Sequence, residues 1–324
     1  MAGGATTPAL VAAAAQAGGM GFLAAGYKTP GQLGAQLSEV RAATPVVGVN
    51  LFAPNPLAVD AAEYRAYVAA LRPLADHYKA DLPAEPVEDD DHWHAKLELL
   101  RRDPVPVVSF TFGIPGRKDI GALRAQGSVV IQTVTTPAEA LAATDAGVDM
   151  LAVQGSAAGA HSATLTPRRF PESIPTAVLV AMIRDATRLP IIAAGGLAAP
   201  EQVAAVVDSG AAAVMVGTAL LRTPESGASQ VHRAAIADHS RGETVLTRAF
   251  TGRPARALPN QFTERYMELA PVGYPALHYL TSPIRKAAVA AGDPEAVHLW
   301  AGAGYRQATD NPAADVLRAL ASGL

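Results

Sequence analysis

The sequence predicts an α/β protein made of repeated strand–helix units, either an open doubly wound sheet or a (β/α)8 barrel of the TIM type. Three observations carry that prediction. Short apolar runs recur without two-residue alternation, as strands buried on both faces do in parallel sheets. Helix-like stretches between them open with a proline near the first turn and stop at a glycine. The centres of successive runs, such as Val130 and Leu151 or Ile192 and Val214, lie roughly 20 residues apart, the span of a strand and its crossover helix.

Taken in order, the chain opens with "MAGGATTP", the pattern of a strand-to-helix loop in which Thr6 or Thr7 caps a helix and Pro8 sits in its first turn. A barrel's first strand is therefore expected upstream of Met1. The runs that follow are "GFLAAG" (Gly21–Gly26), "VVGVN" (Val46–Asn50), "PVVSFT" (Pro106–Thr111), "VVIQTV" (Val129–Val134), "MLAVQG" (Met150–Gly155), "IIAAGG" (Ile191–Gly196) and "AVMVGT" (Ala213–Thr218), seven where a closed barrel needs eight. Helices are expected over Pro137–Ala146, ended by Gly147, and over Pro200–Ser209, ended by Gly210. Two stretches break the rhythm. Residues 55–103 form an insertion with a charged helical stretch from Val59 to Lys79 and an acidic loop, "EPVEDDDHWH". After Arg248 comes a tail with Trp300 and four of the eight tyrosines, Tyr266, Tyr274, Tyr279 and Tyr305. The strand–helix repeat is thus placed at residues 1–248 and a helical or irregular appendage, packed over one end of the same domain, at 249–324.

The bulk composition excludes several classes. The 324 residues are 50% hydrophobic, enough for a sizeable core. With 26 basic against 29 acidic side chains and a net charge of -3, the chain carries no nucleic-acid footprint and no polybasic membrane patch. No cysteine is present, which removes disulfides, thiolate nucleophiles and cysteine-based metal sites and suits a reducing cytoplasm. The first charged side chain is Lys28, and the stretch before it is mostly Ala and Gly broken by Pro8, Gln16 and Gly18-Gly19. That is neither a signal peptide with a basic start nor a membrane helix.

Chemistry is expected at the strand ends. "AAGG" (Ala193–Gly196) and "VGT" (Val216–Thr218) close the last two strands, where barrels commonly hold a phosphate on main-chain N–H groups; two tight turns without a ligand have the same local pattern. Asn50 and Gln154 end strands too, and an amide there either caps a turn or reads the edge of a heterocycle. With a phosphate site, the pair suggests a nucleotide-like cofactor across the mouth. His161 follows a tract of small residues that leaves room for a flat ring, and imidazole exchanges protons near neutral pH. His92 and His94 beside Asp89, Asp90 and Asp91 have no further ligand in register and read as a solvated loop, so no metal is expected; His232 and His239 read as parts of a surface helix. A P-loop, a zinc signature, a G-x-S-x-G elbow and a GxGxxG fingerprint are all absent.

The motifs "MAGGATTPAL", "GGMGFLAAGYKTP", "GVNLF", "VVSFTFGIP", "VQGSAAGAH", "IIAAGGLA", "VGTALL", "TRAFTGRPAR" and "LWAGAG", in order from Met1 to about Gly304, together resemble the nitronate monooxygenase family, formerly called 2-nitropropane dioxygenases. The resemblance implies a (β/α)8 TIM-type barrel with FMN at its mouth. It places the FMN phosphate at Gly196 and the turn of Met215, Val216, Gly217 and Thr218. Gln154, Gly159 and Asn50 would lie near the flavin and ribityl chain, and Met1, Ala2 and Gly3 would contact the flavin through the main chain. His161 matches the catalytic histidine, and Phe110, Phe112, Tyr274 and Tyr279 are the expected substrate-lining residues. The implied reaction is oxidation of alkyl nitronates, such as propionate 3-nitronate, by O2 without an external reductant, a detoxifying activity. For a neutral nitroalkane His161 would act as general base, and for a preformed nitronate it would bind the anion.

The chain departs from the pattern in three places. Ala160 stands where many relatives have glycine, Thr111 where many have histidine, and "SATL" after His161 where an Arg-Gly is usual. Two other functions stay open at this level: an FMN-dependent NAD(P)H reductase of quinones or enoyl thioesters on the same barrel, and a non-catalytic barrel that binds a phosphorylated ligand.

Overall fold

The computed structural model describes residues 1–324. In chain order the strands are β1 (Gly21–Ala24), β2 (Val47–Ala53), β3 (Val107–Phe112), β4 (Val129–Val134), β5 (Met150–Gln154), β6 (Ala160–His161), β7 (Ile191–Ala194), β8 (Ala213–Met215), β9 (Val245–Thr247) and β10 (Ala255–Ala257). The helices are α1 (Pro8–Gln16), α2 (Pro30–Ala43), α3 (Ala61–Tyr78), α4 (Trp93–Arg102), α5 (Arg117–Ala125), α6 (Pro137–Ala146), α7 (Thr176–Ala186), α8 (Pro200–Asp208), α9 (Gln230–Ala237), α10 (Gln261–Tyr266), α11 (Ala276–Ala291) and α12 (Ala313–Leu320). Strands β1-β2-β3-β4-β5-β7-β8 pair in that order, every neighbour parallel, and the helices pack outside them as a curled TIM-type barrel of seven strands. Among the described residues no helix is long and apolar enough to cross a membrane.

The helix boundaries have local causes. Thr7 accepts from Leu10 N–H and Pro8 occupies the first turn of α1. Thr29 and Gln32 form a capping box on α2. Thr136 caps α6, which stops at Gly147 in the left-handed region.

Alternation along the strands divides the barrel into layers. Phe22, Val107, Ile131, Ala152, Ile192 and Met215 meet inside it as an apolar layer. Gly48 leaves room for Phe22, since a Cβ there would lie 2.4 Å from the ring. The opposite faces of the same strands pack against the helices in the largest core cluster. At the seam between β8 and β1 the N-terminal turn bridges the two strand ends. Gly217, just past β8, faces the Met1 sulfur, and Gly3 and Gly4 line a cavity of about 360 Å³ with Gly26, Tyr27 and Lys28, just past β1. Leu10 of α1, Leu220 and Ala313 of α12 form a small apolar cluster beside Met1.

The two irregular stretches are built into the barrel. The insertion supplies α3 and α4, and its acidic loop is only partly solvated. Asp89 and Asp90 are exposed as expected, but Asp91 accepts from Tyr27 N–H at 2.8 Å and pairs with Lys96 at 2.7 Å. Lys96 is 1% exposed and also donates to Ala25 O at 2.9 Å, so α4 is pinned to the end of β1. His92 and His94 are exposed. His232, expected on the surface, is instead tucked under the tail with Nε2 2.9 Å from Trp300 O. The tail adds one short strand to its helices: β10 pairs antiparallel with both β9 and β6, forming a second sheet.

Breaking a buried ion pair from one side strands the other charge. Asp91→Ala is therefore expected to cost about 3 kcal/mol of stability, read as a lower chemical-denaturation midpoint, and an Asp91→Ala/Lys96→Met double variant to recover part of it.

Candidate active site

The site lies at the C-terminal ends of the strands and is assembled from three parts. The first is a polar layer one step above the apolar one, because inward residues alternate along each strand. Asn50 Nδ2 donates to Ser109 Oγ at 2.9 Å and to Thr111 Oγ1 at 3.0 Å, and Thr111 Oγ1 lies 3.4 Å from Thr133 Oγ1. Gln154, ending β5, belongs to the same layer. Its Nε2 donates to His161 O at 3.1 Å and its Oε1 accepts from Ala163 N–H at 2.7 Å. Gln154 thus clamps the strand that carries His161, and one N–H and one lone pair of its amide remain for a ligand.

The second part is a cradle of bare backbone. A Cβ on Gly159 would come within 2.5 Å of Gly302 N and 3.0 Å of Thr218 Oγ1. Gly196 has φ +75, and a Cβ there would meet the Ala157 methyl at 2.9 Å. Thr218 Oγ1 accepts from Gly302 N–H at 2.9 Å, which ties the "LWAGAG" tail to the end of β8. Among the described residues nothing accepts from the N–H groups of Gly196 or Gly217. Free N–H groups on glycines at the ends of adjacent strands are suited to an anion such as a phosphate. Met215 packs in the barrel layer and Val216 in the core, so these two border the cradle through their main chain. Met1 faces Gly217, with Ala2 half-buried and Gly3 exposed beside it.

The third part surrounds His161. Its ring lies 5.6 Å from Phe112, 5.6 Å from Tyr274 and 5.5 Å from Trp300, and Nε2 is 2.9 Å from Thr251 Oγ1. Phe112 is held at φ +83, a conformation rare for a bulky residue, and Ala160 at φ +64. Strained backbone of this kind collects at functional sites. Tyr274 Oη lies 3.0 Å from Tyr27 Oη, and the Tyr27 ring stacks on His278. Two buried guanidinium groups sit alongside. Arg253 lies 4.0 Å over Phe112, and Arg285 is wedged between Nδ1 of His278 and Nδ1 of His298, each 3.4 Å away. Burial, then the charges of Arg253 and Arg285, push the His161 pKa down to about 3. Burial raises the Tyr27 phenol to about 12 and the Tyr274 phenol well above its usual value.

The structure thus brings Asn50, Gln154, Gly159, Gly196, Gly217, Thr218, Phe112, Tyr274 and His161 to one mouth. Phe110, expected there, faces outward and packs edge-on to Trp93 at 5.6 Å in the core, because Ser109 and Thr111 take the inward positions of β3. Tyr279 points away as well, its hydroxyl on Asp89. Sequence reasoning missed Tyr27, Thr251, Arg253, His278 and Arg285. Thr251 and Arg253 stood within the quoted "TGRPAR", and Tyr27 within "GYKTP".

The pKa of His161 has a consequence for stability. An unfolded chain protonates this ring below 6.5, while the folded chain holds it neutral down to about 3, so stability falls as pH drops through that window. Burial lowers His232, His278 and His298 in the same direction. The urea midpoint is expected to decline below about pH 6.5, and less steeply in His161→Gln.

Comparison with known proteins agrees with this architecture. The family model described as nitronate monooxygenase matches residues 1–323. A "Probable nitronate monooxygenase" of Staphylococcus aureus strain Newman is 36% identical over 318 residues, 97% of this chain and 90% of its own length. The crystal structure of nitroalkane oxidase from Streptomyces ansochromogenes superposes with a TM-score of 0.95 at 44% identity, over 100% of this chain and 93% of that one. FabK from Thermotoga maritima superposes with a TM-score of 0.75 at 27% identity, over 99% and 89%.

Proposed function

The chain belongs to the nitronate monooxygenase family, and from that premise we propose that it is an FMN-dependent enzyme that oxidises alkyl nitronates with O2. Membership makes it an oxidoreductase acting on nitro compounds; the cofactor, the oxidant and the preference for nitronates are the finer reading. The observation that carries it is the meeting, at one barrel mouth, of a glycine cradle with free N–H groups, a layer of side-chain amides and hydroxyls, and a neutral histidine in an aromatic box.

The residues present fit FMN. Gly196, Gly217 and Thr218 would hold its phosphate, Gly159 would let it approach, and Asn50 and Gln154 would face the flavin with Met1, Ala2 and Gly3 at its edge. Bound there, FMN would supply the redox chemistry. The protein's own contribution is electrostatic and geometric. His161 is uncharged at neutral pH, the form that accepts a proton, but a pKa of about 3 makes it a weak base. Taking the proton from a neutral nitroalkane would therefore depend on the nearby guanidinium charges stabilising the anion formed. For a preformed nitronate the same ring positions the anion, and the buried guanidinium groups of Arg253 and Arg285 supply the favourable positive field. Phe112, Tyr274 and Trp300 surround the ring with aromatic surface, which would exclude water and face the alkyl chain.

The test is spectroscopic. Purified protein is expected to be yellow, to change its visible flavin spectrum when mixed anaerobically with propionate 3-nitronate, and to be inert to NADPH. Bleaching by NADPH with no response to the nitronate would establish a reductase of quinones or enoyl thioesters instead. A colourless protein that FMN does not reconstitute would leave a binding barrel.

Two variants separate the parts. Gly217→Val fills the cradle where its Cβ meets only the Met1 side chain, 3.4 Å away, so FMN affinity is expected to fall with the fold retained. Titration of the apoprotein should show a loss of about tenfold or more. His161→Asn is expected to lower kcat/KM on a neutral nitroalkane by about 100-fold or more, and on the preformed nitronate by less, since only the first needs a base.

A further inference from the structure

His161 is gripped by one short segment. Thr251 Oγ1 meets its Nε2, Ser162 N–H donates to Pro254 O at 2.8 Å, and Ala255 is its partner in the β6–β10 pairing. Arg253, fully buried, donates from Nε to Ser162 O at 3.3 Å and from Nη2 to Thr164 O. Its Nη1 has no hydrogen-bond partner among the described residues. The Thr251 hydroxyl is directed at Arg253 O, 3.4 Å away. A hydroxyl whose hydrogen is turned to a carbonyl presents lone pairs to its other neighbour, which here is Nε2. That arrangement favours the ring proton on Nε2 and the lone pair on Nδ1.

We propose that Thr251 and Arg253 are positioning residues for His161: Thr251 keeps the ring proton on Nε2 so that Nδ1 is the proton-accepting atom, and Arg253 locks the strand and sets a positive charge beside the ring. Arg253 stacks on Phe112, whose ring touches His161 edge-on, so its charge opposes protonation of a ring that burial already disfavours charging. Other charged or titratable groups surround the ring. Arg285 and His278 face it from α11, and His298 precedes Trp300. Tyr27 and Tyr274 lie to one side, and Glu139 of α6 reaches Arg253's field from behind Thr164. Arg285 acts in the same direction as Arg253 but touches neither β6 nor the residues after it. The proposal rests on the reading of His161 as the proton-handling group, and its main readout does not depend on turnover.

The experiment is nitrogen-15 NMR of the histidine rings in the FMN-loaded protein, with the His161 signals assigned by their loss in His161→Gln. The native ring should show the Nε2–H tautomer and stay neutral well below its ordinary pKa. Arg253→Gln keeps a donor for the carbonyls but removes the charge, and should raise the His161 midpoint by about one unit; Arg253→Lys should not. Thr251→Val should mix the tautomers and lower kcat about tenfold at unchanged KM, and Thr251→Ser should restore both. An unmoved midpoint in Arg253→Gln together with an intact tautomer in Thr251→Val would overturn the proposal whatever the activity. Should the ring respond as expected while His161→Gln remains fully active, the positioning stands and the catalytic reading of His161 is lost.

Discussion

The pairing of two residues with two others, Ala160–His161 against Ala255–Arg256, is the contact on which the site depends. The loop after β5 is a tract of Gly, Ser and Ala whose own side chains make no hydrogen bond among the described residues. It is held from outside, by Arg256 Nε donating to Ser156 O at 2.7 Å and Ala303 N–H to Ala157 O at 2.9 Å as well as by this pairing. The antiparallel pairing anchors it to the tail, Gln154 clamps it from the barrel side, and Arg253 ties the carbonyls that follow. The left-handed conformation of Ala160 belongs to this geometry: other constraints outweigh the local steric preference.

A second consequence is electrostatic. Burying a guanidinium with no carboxylate in contact costs several kcal/mol, and this barrel does it twice beside one histidine, with Glu139 acting on Arg253 only from beyond Thr164. The carbonyl and imidazole acceptors around Arg253 and Arg285 satisfy hydrogen bonds but do not neutralise charge. The field is therefore positive and the imidazole neutral, a combination that favours an anionic guest over a cationic one. A proposed nitronate substrate and a phosphorylated cofactor both have the sign that this field rewards.

The insertion contributes from a distance. Lys96, Asp91 and the Tyr27 N–H form a chain of buried polar contacts from α4 to the end of β1, and Tyr27 then reaches Tyr274. A loop that looks merely acidic in sequence thus sets the height of a phenol at the mouth.

Much of this was legible in the sequence, for physical reasons that can be named. Parallel strands buried on both faces leave unbroken apolar runs, and capped helices leave Thr-Pro and Gly punctuation, so all seven strands and the bounds of α6 are written locally. Gly196, Gly217, Gln154 and His161 could be singled out because barrel chemistry gathers at strand ends. What the tertiary structure decided is which side chains meet. Phe110 and Phe112 look alike in sequence and share one parity on β3, yet one lies under Trp93 and the other against His161, because the positive φ of Phe112 turns it off the outward face. Tyr27, Thr251, Arg253 and Arg285 come to His161 from segments far apart in the chain, and long-range pairing leaves no local pattern to read.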